Sequence, residues 1–180
     1  MKKRRIVFLD RDGTLNIDTG YISKPEELEL LPKAVEGLKL LRPRYAVAVV
    51  TNQSGVSRGL YSRADVEAVN ARLVQLLAEK GVGFDHIEYC PHQKADECDC
   101  RKPQSGLLHK AAAALGLGLE GAWMVGDRST DIETGEAVGA RTILLPEPPD
   151  APPLVLEPDF LAEDLLEAAR IILREDGLAE

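Results

Sequence analysis

No run of apolar residues in the sequence approaches the roughly 18 that a membrane-crossing helix needs. There is no excess of positive charge either, because 22 Lys and Arg face 30 Asp and Glu for a formal charge of −8. Without a basic face, nucleic acid and anionic lipid are poor partners, and no membrane association is expected. A small anionic substrate stays open, since a local pocket can be positive while the whole molecule is not. The basic start Met1-Lys2-Lys3-Arg4-Arg5 is followed by only Ile6-Val7-Phe8-Leu9 before Asp10, too short an apolar stretch for a signal peptide, so a cytoplasmic protein is expected. Cysteine is scarce. The three present, Cys90, Cys98 and Cys100, all fall within residues 90–100, which is a poor disulfide framework and a good metal cluster. Internal repeats are absent, and the only biased segment is Pro146–Pro153, a stiff extended connector with five prolines. With 180 residues, 44% hydrophobic and 29% charged, the chain suits one soluble globular domain over 1–180 and not two.

Short apolar runs bounded by turn signals alternate with stretches of helical period. The runs are Ile6–Leu9, Ala46–Val50, His86–Tyr89, Trp123–Val125 and Thr142–Leu145. Helices are expected over 32–41, with Pro32 in the first turn and Val35, Leu38 and Leu41 inward, and over 63–79, with Ser62 as N-cap and Val66, Val69, Leu73, Leu76 and Leu77 inward. Further helices are expected over 107–115, near 131–138, and over 164–173 with Leu165, Leu166, Ala169 and Ile172 inward. Strands that are apolar throughout are buried on both faces, which marks a parallel sheet covered by crossover helices. The expected fold is α/β, a doubly wound parallel sheet.

Three of these strands run into a polar residue: Asp10, Thr51 and Asp127. In an open α/β sheet ligands bind outside the carboxyl ends of the strands, so all three side chains arrive at one edge. Any one of them alone would be an ordinary turn former or helix cap. Asp10-Arg11-Asp12-Gly13-Thr14 is more specific, because two carboxylates one residue apart repel each other unless a cation holds them. Mg²⁺, a hard ion that takes oxygen ligands and bridges to phosphate, suits them.

Cys90-Pro91-His92 and Cys98-Asp99-Cys100 offer three thiols and an imidazole. These donors favour Zn²⁺ in a closed tetrahedral site without room for water, hence a structural one. Buried free thiols and an iron–sulfur cluster are the alternatives. Arg101-Lys102-Pro103 follow directly, so a metal clip there would preorganise two cations, with Arg101 able to grip an anionic group in a fork that lysine lacks. His86 and His109 have no partner at ligand spacing, and Trp123 reads as core.

Phe8-Leu9-Asp10-Arg11-Asp12-Gly13-Thr14 resembles the first motif of the haloacid dehalogenase (HAD) superfamily of phosphotransferases. Thr51, Lys102 and Gly126-Asp127 with Asp131 fall in order as the second, third and fourth. The resemblance covers the chain to about Leu145. It implies that Asp10 attacks phosphorus to form a phosphoaspartate, that Asp12 serves as acid and then base, and that Thr51 and Lys102 hold the transferring oxygens. It also implies Mg²⁺ on Asp10, the Asp12 main-chain carbonyl and Asp127, with Asp131 orienting that site.

The string CPH…CDCRKP is similar to the zinc-containing subgroup that holds the D-glycero-D-manno-heptose 1,7-bisphosphate phosphatases and the histidinol-phosphate phosphatases. Asn16 to Tyr21 resembles the substrate loop of the heptose enzymes, which implies sugar contacts at Asp18, Thr19, Gly20 and Tyr21. Thr51 to Gly59 resembles their second-motif loop, with Asn52, Gln53 and Ser54 lining the pocket. Arg42-Pro43-Arg44 departs from the glycine turn common there, in a distal loop. Arg128, beside Asp127, together with Arg101 favours a bisphosphate. The implied activity is removal of the 7-phosphate from the heptose bisphosphate. Histidinol-phosphate phosphatase is the alternative within the class. A receiver-like phospho-accepting signalling domain is the alternative outside it, disfavoured by Asp12, and an inactive zinc-dependent interaction module is a further one, disfavoured because no motif residue is missing. The stretch from Thr14 to Thr51 leaves no room for a separate cap domain, so an open site is expected, in a monomer.

Overall fold

A computed structural model describes residues 4–178. Six strands form one parallel sheet in the order β3-β2-β1-β4-β5-β6: β1 Ile6–Leu9, β2 Ala46–Asn52, β3 His86–Cys90, β4 Trp123–Gly126, β5 Arg141–Leu144 and β6 Phe160–Leu161. β1 lies at the centre, paired with β2 (Phe8 beside Ala48) and β4 (Phe8 beside Met124). Every residue of β1 and β4 is buried, as expected of strands covered on both sides.

Alternation along these strands splits the core in two. Val7, Leu9, Val47, Val49 and Val125 face α1 (Ala34–Leu41), α2 (Arg63–Glu79) and α5 (Leu165–Glu175). Ile6, Phe8, Ala48, Val50 and Met124 face α3 (Gly106–Leu115), and α4 (Ser129–Glu136) lies over β4 and β5 on that side. Chain order runs outward from β1 to β3, returns through β4, then runs outward to β6. The reversal between β1 and β4 is where an open sheet leaves a crevice at its carboxyl edge.

Ser62 caps α2 as its sequence predicts, accepting the Asp65 N–H at 3.1 Å. Trp123 is fully buried, and its Nε1 donates to Asp176 at 3.1 Å. Arg42 of the distal turn pairs with Asp85, His86 pairs with Glu88 at 2.8 Å, and His109 is exposed.

Several boundaries differ from expectation. Helix α1 starts at Ala34, because Lys33 adopts φ 68° and leaves Pro32 outside. Val35, Leu76 and Leu166 are only half-buried; on α5 the inward stripe is Leu165, Ala168, Ala169, Ile171 and Ile172. Helix α4 begins at Ser129, so Asp131 is its third residue and not its start. Strand β6 is two residues long, too short for its period to register, and it pairs at the sheet edge by tertiary contact.

Candidate active site

Asp10 leaves β1 in strand geometry, its N–H donating to the Val125 carbonyl of β4 at 3.0 Å. The chain then turns sharply, with the N–H groups of Thr14 and Leu15 donating to the Arg11 carbonyl. Gly13 sits at φ +83°, and a Cβ there would fall 2.0 Å from Asp127 Oδ2, so only glycine lets this turn press against the end of β4. Thr51, at the end of β2, is 1% exposed.

Lys102 enters from the loop after β3. Its Nζ lies 2.9 Å from Asp10 Oδ1 and 2.6 Å from Asp131 Oδ1, and donates to the Val50 carbonyl at 2.8 Å. Burial opposes its charge, but Asp10 and Asp131 outweigh that, and the ammonium is held protonated well above the ordinary lysine range. Asp131 thus engages Lys102, a contact the sequence does not announce, while its Oδ2 accepts the Arg128 N–H at 3.2 Å.

The carboxylate oxygens of Asp10, Asp127 and Asp131 lie within 4.8 Å of one another. Burial first, then the charge of Asp131, pushes Asp10 up to about 6 against the pull of Lys102. Burial followed by the charges of Asp10 and Asp131 pushes Asp127 up to about 8. Asp127 Oδ1 is buried without a hydrogen-bond partner. Three crowded carboxylates with one ammonium and an orphaned oxygen fit a hard divalent cation.

Asp12 also lines this edge, its carboxylate held by neighbouring side chains. It accepts from Arg11 Nε and NH2 (3.1 Å each), Asn16 Nδ2 (2.9 Å) and Gln53 Nε2 (2.9 Å). Gln53 also donates to Thr51 Oγ1 at 2.9 Å, and its Oε1 accepts from the Tyr61 hydroxyl at 2.8 Å. Asn52 spends both ends of its amide on the Lys102 main chain, at 3.0 and 3.1 Å. Asn52 and Gln53 therefore line the cavity as braces for catalytic-motif residues.

These groups open into a cavity of about 470 Å³ lined also by Asp18, Gly20, Tyr21, Ser54, Arg101 and Arg128. Arg128 NH2 is 2.8 Å from Asp18 Oδ2, and Arg101 NH1 donates to the His92 carbonyl at 3.2 Å. Thr19 is exposed on the Asp18–Gly20 turn, which is closed by the Gly20 N–H on Asp18 Oδ1 at 2.9 Å. Tyr61, whose ring is 6.5 Å from that of Tyr21, and Asp150, Ala151 and Pro152 of the proline connector also line the cavity. No local pattern marks them, since only the folded chain brings 150–152 back over the sheet edge.

Beside this site, Cys90 Sγ, His92 Nδ1, Cys98 Sγ and Cys100 Sγ converge within 4.8 Å. The recorded separations are 3.5 Å (Cys90–His92), 3.6 Å (Cys90–Cys98 and Cys98–Cys100), 3.4 Å (His92–Cys100) and 3.0 Å (Cys90–Cys100). A tetrahedron built on Zn–S of about 2.3 Å and Zn–N of about 2.0 Å has edges of about 3.5–3.8 Å, so the donor set fits zinc with slight closure at one edge. Burial holds the Cys90 thiol above its ordinary range; at Cys98 burial is outweighed by the Arg101 and Cys100 N–H donors, which bring it to about 7. The cluster is tied to the second-motif loop, with Gln53 N–H on the Cys90 carbonyl (2.7 Å), Ser57 N–H on the Pro91 carbonyl (3.0 Å) and the Ser57 hydroxyl on Asp96.

A HAD-hydrolase-like family model matches residues 99–168. The D-glycero-beta-D-manno-heptose-1,7-bisphosphate 7-phosphatase of Pseudomonas putida is 46% identical over 143 residues, covering 78% of this chain and 82% of that protein. The enzyme of that name from Escherichia coli K12 is 32% identical over 184 residues, covering 97% and 96%. The D,D-heptose 1,7-bisphosphate phosphatase of B. bronchiseptica, solved with magnesium and phosphate, superposes with a TM-score of 0.85 at 31% identity, covering 95% of this chain and 99% of that one. At this identity and coverage the chain belongs to the heptose-bisphosphate phosphatase family of HAD-like hydrolases, as a phosphatase.

Proposed function

We propose that this protein removes the 7-phosphate of D-glycero-D-manno-heptose 1,7-bisphosphate, in its β anomer, through a phosphoaspartate on Asp10. The observation that carries the reading is the placement of Asp10, Asp12, Thr51 and Lys102 on one cavity that also presents Arg101 and Arg128, with Asp127 clustered against Asp10. The names of the relatives support the sugar and the anomer.

In the first step an Asp10 oxygen attacks phosphorus while the bond from phosphorus to the sugar C7 oxygen breaks, and Asp12 gives that oxygen its proton. In the second step water attacks the phosphoaspartate, Asp12 takes a proton from it, and inorganic phosphate leaves with the Asp10 carboxylate restored. Lys102 and the Thr51 hydroxyl hold the phosphoryl oxygens through both steps. Mg²⁺ bound by Asp10, the Asp12 main-chain carbonyl and Asp127 would neutralise these carboxylates and polarise the phosphoryl group. Asp131 anchors Lys102 against them. Zn²⁺ on Cys90, His92, Cys98 and Cys100 would act structurally, fixing the loop that delivers Arg101 and Lys102. Arg101 and Arg128 receive the second phosphate, while Asp18, Gly20, Tyr21 and Ser54 meet the sugar. In this reading the chain is a single capless domain, a cytoplasmic monomer acting on a small phosphorylated sugar.

The test is phosphate release with Mg²⁺ on both anomers of the bisphosphate and on histidinol phosphate, with Asp10→Asn as blank. A kcat/KM preference for the β bisphosphate is expected. Preference for histidinol phosphate overturns the substrate, and turnover by Asp10→Asn near the wild-type rate overturns the nucleophile.

A further inference from the structure

Arg11 has no part in the chemistry above, yet it is one of the largest fully buried side chains, 1% exposed. Its Nε and NH2 fork onto the Asp12 carboxylate, and its NH1 donates to Asn70 Oδ1 at 2.8 Å. Asn70 sits on the inward face of α2 among Val66, Val69 and Leu73, itself 7% exposed. A buried guanidinium is costly unless paired, and asparagine is a weaker helix former than the leucine that would suit that stripe. What the pair does is hold one carboxylate: a bidentate fork fixes both oxygens of Asp12 in direction as well as distance, and Asn70 keeps the fork from turning.

We propose that Arg11, braced by Asn70 from α2, is a positioning residue for Asp12, holding its carboxylate where it meets the leaving oxygen and later the attacking water. This rests on the assignment of Asp12 as proton donor and acceptor. It extends the reacting constellation into the core of α2, a helix that supplies no catalytic group.

Two substrates and four variants test it. The sugar phosphate has a poor leaving group that needs a proton; p-nitrophenyl phosphate has a good one that does not. Asn70→Leu keeps the branched shape but removes the acceptor, and it should lower kcat on the bisphosphate about 10- to 100-fold with KM within about 2-fold. On p-nitrophenyl phosphate the same variant should release a rapid burst of about one nitrophenolate per site and then turn over slowly, because the second step still needs Asp12. Asn70→Asp, which returns an oxygen to the same place, should recover most of the rate. Arg11→Lys keeps the charge without the fork and should reproduce the Asn70→Leu signature, so the outcome does not hang on one variant folding.

Asp12→Asn sets the reference, with the same burst and a deeper loss. If it gives no burst, the assignment of Asp12 fails and the proposal fails with it. If it behaves as stated while Asn70→Leu and Arg11→Lys turn over both substrates at wild-type rates, lose activity through KM alone, or are indifferent to the Asn70→Asp replacement, the proposal is overturned and Asp12 keeps its role.

Discussion

Replacing Gly13 by alanine separates backbone strain from site geometry. At φ +83° any L side chain costs roughly 1–2 kcal/mol. That penalty alone is a property of the turn and predicts a lower Tm with chemistry unaltered. The second effect is local: the new Cβ would lie 2.0 Å from Asp127 Oδ2 and 2.4 Å from its Cγ. Reaching even a 3.0 Å contact needs a shift of about 1 Å, in a segment packed between β1 and β4. A displacement of that size at a reacting centre is worth about 100-fold in rate. It falls on a carboxylate assigned to Mg²⁺, so the Mg²⁺ concentration for half-maximal activity should rise together with the fall in kcat. Gly81→Ala is the control. Gly81 has φ +73° at the exit of α2 with nothing within 4 Å of a Cβ, so it carries the strain without the clash. The assay is kcat across a Mg²⁺ titration for both variants, alongside thermal unfolding. Both should lose comparable stability and only Gly13→Ala should lose activity. Wild-type kcat and Mg²⁺ dependence in Gly13→Ala would refute the reasoning.

Other perturbations have equally definite outcomes. Asp10 and Asp127 titrate higher in the folded chain, at about 6 and about 8, than in the unfolded one, so their contribution to stability is full below about 4 and is lost as pH rises through those values. A divalent cation relieves that loss, so the rise in Tm on adding Mg²⁺ should be larger at pH 8 than at pH 5; an equal or reversed effect in thermal scans contradicts the cluster as a cation site. Stripping metal with a chelator, or Cys98→Ser, should remove about one zinc per chain by elemental analysis and lower kcat about 10- to 100-fold through the loosened Lys102 loop; a zinc-free protein of full activity refutes the structural role. Arg128→Met should raise KM for the bisphosphate about 10- to 100-fold, the worth of a charge-assisted contact of about 1.5–3 kcal/mol, with less effect on a sugar monophosphate. Equal effects on the two substrates would remove Arg128 from the second phosphate.

How much of this was legible in the chain depended on how local the cause was. Apolar runs without alternation, each ending in Asp or Thr, announced a parallel sheet and its working edge, because burial on both faces leaves that mark in a few consecutive residues. The cysteine cluster was equally local, with all four donor side chains within 90–100. What escaped was set by partners far along the chain. Asp131 faces Lys102 across 29 positions, and Arg11 faces Asn70 across 59. An arginine between two aspartates reads as solvated, and only α2 passing behind it makes it core. Asn70 did leave a trace, a polar residue on the helix stripe of Val66, Val69 and Leu73. Asn52 and Gln53 stood where expected, but their amides face protein groups, a matter of rotamer and neighbour that spacing does not encode.

Part of the cavity wall comes from Asp150, Ala151 and Pro152, beyond every motif residue, and the helix that follows them, α5, packs Leu165, Ala169 and Ile172 into the same core cluster as Leu38 and Leu41 of α1. The first and last α-helices of the described residues are therefore neighbours. A nascent chain that has emerged only as far as Leu145 carries its motif carboxylates, its lysine and its cysteine loop, yet leaves α1 without the helix it packs on and the crevice without its far wall. Competence arrives once the proline connector and α5 have emerged and not when the chemistry has been encoded. An interrupted or clipped product should accordingly be a sticky, aggregation-prone fragment for proteases to clear, and not a half-selective phosphatase loose among the sugar phosphates of the cell.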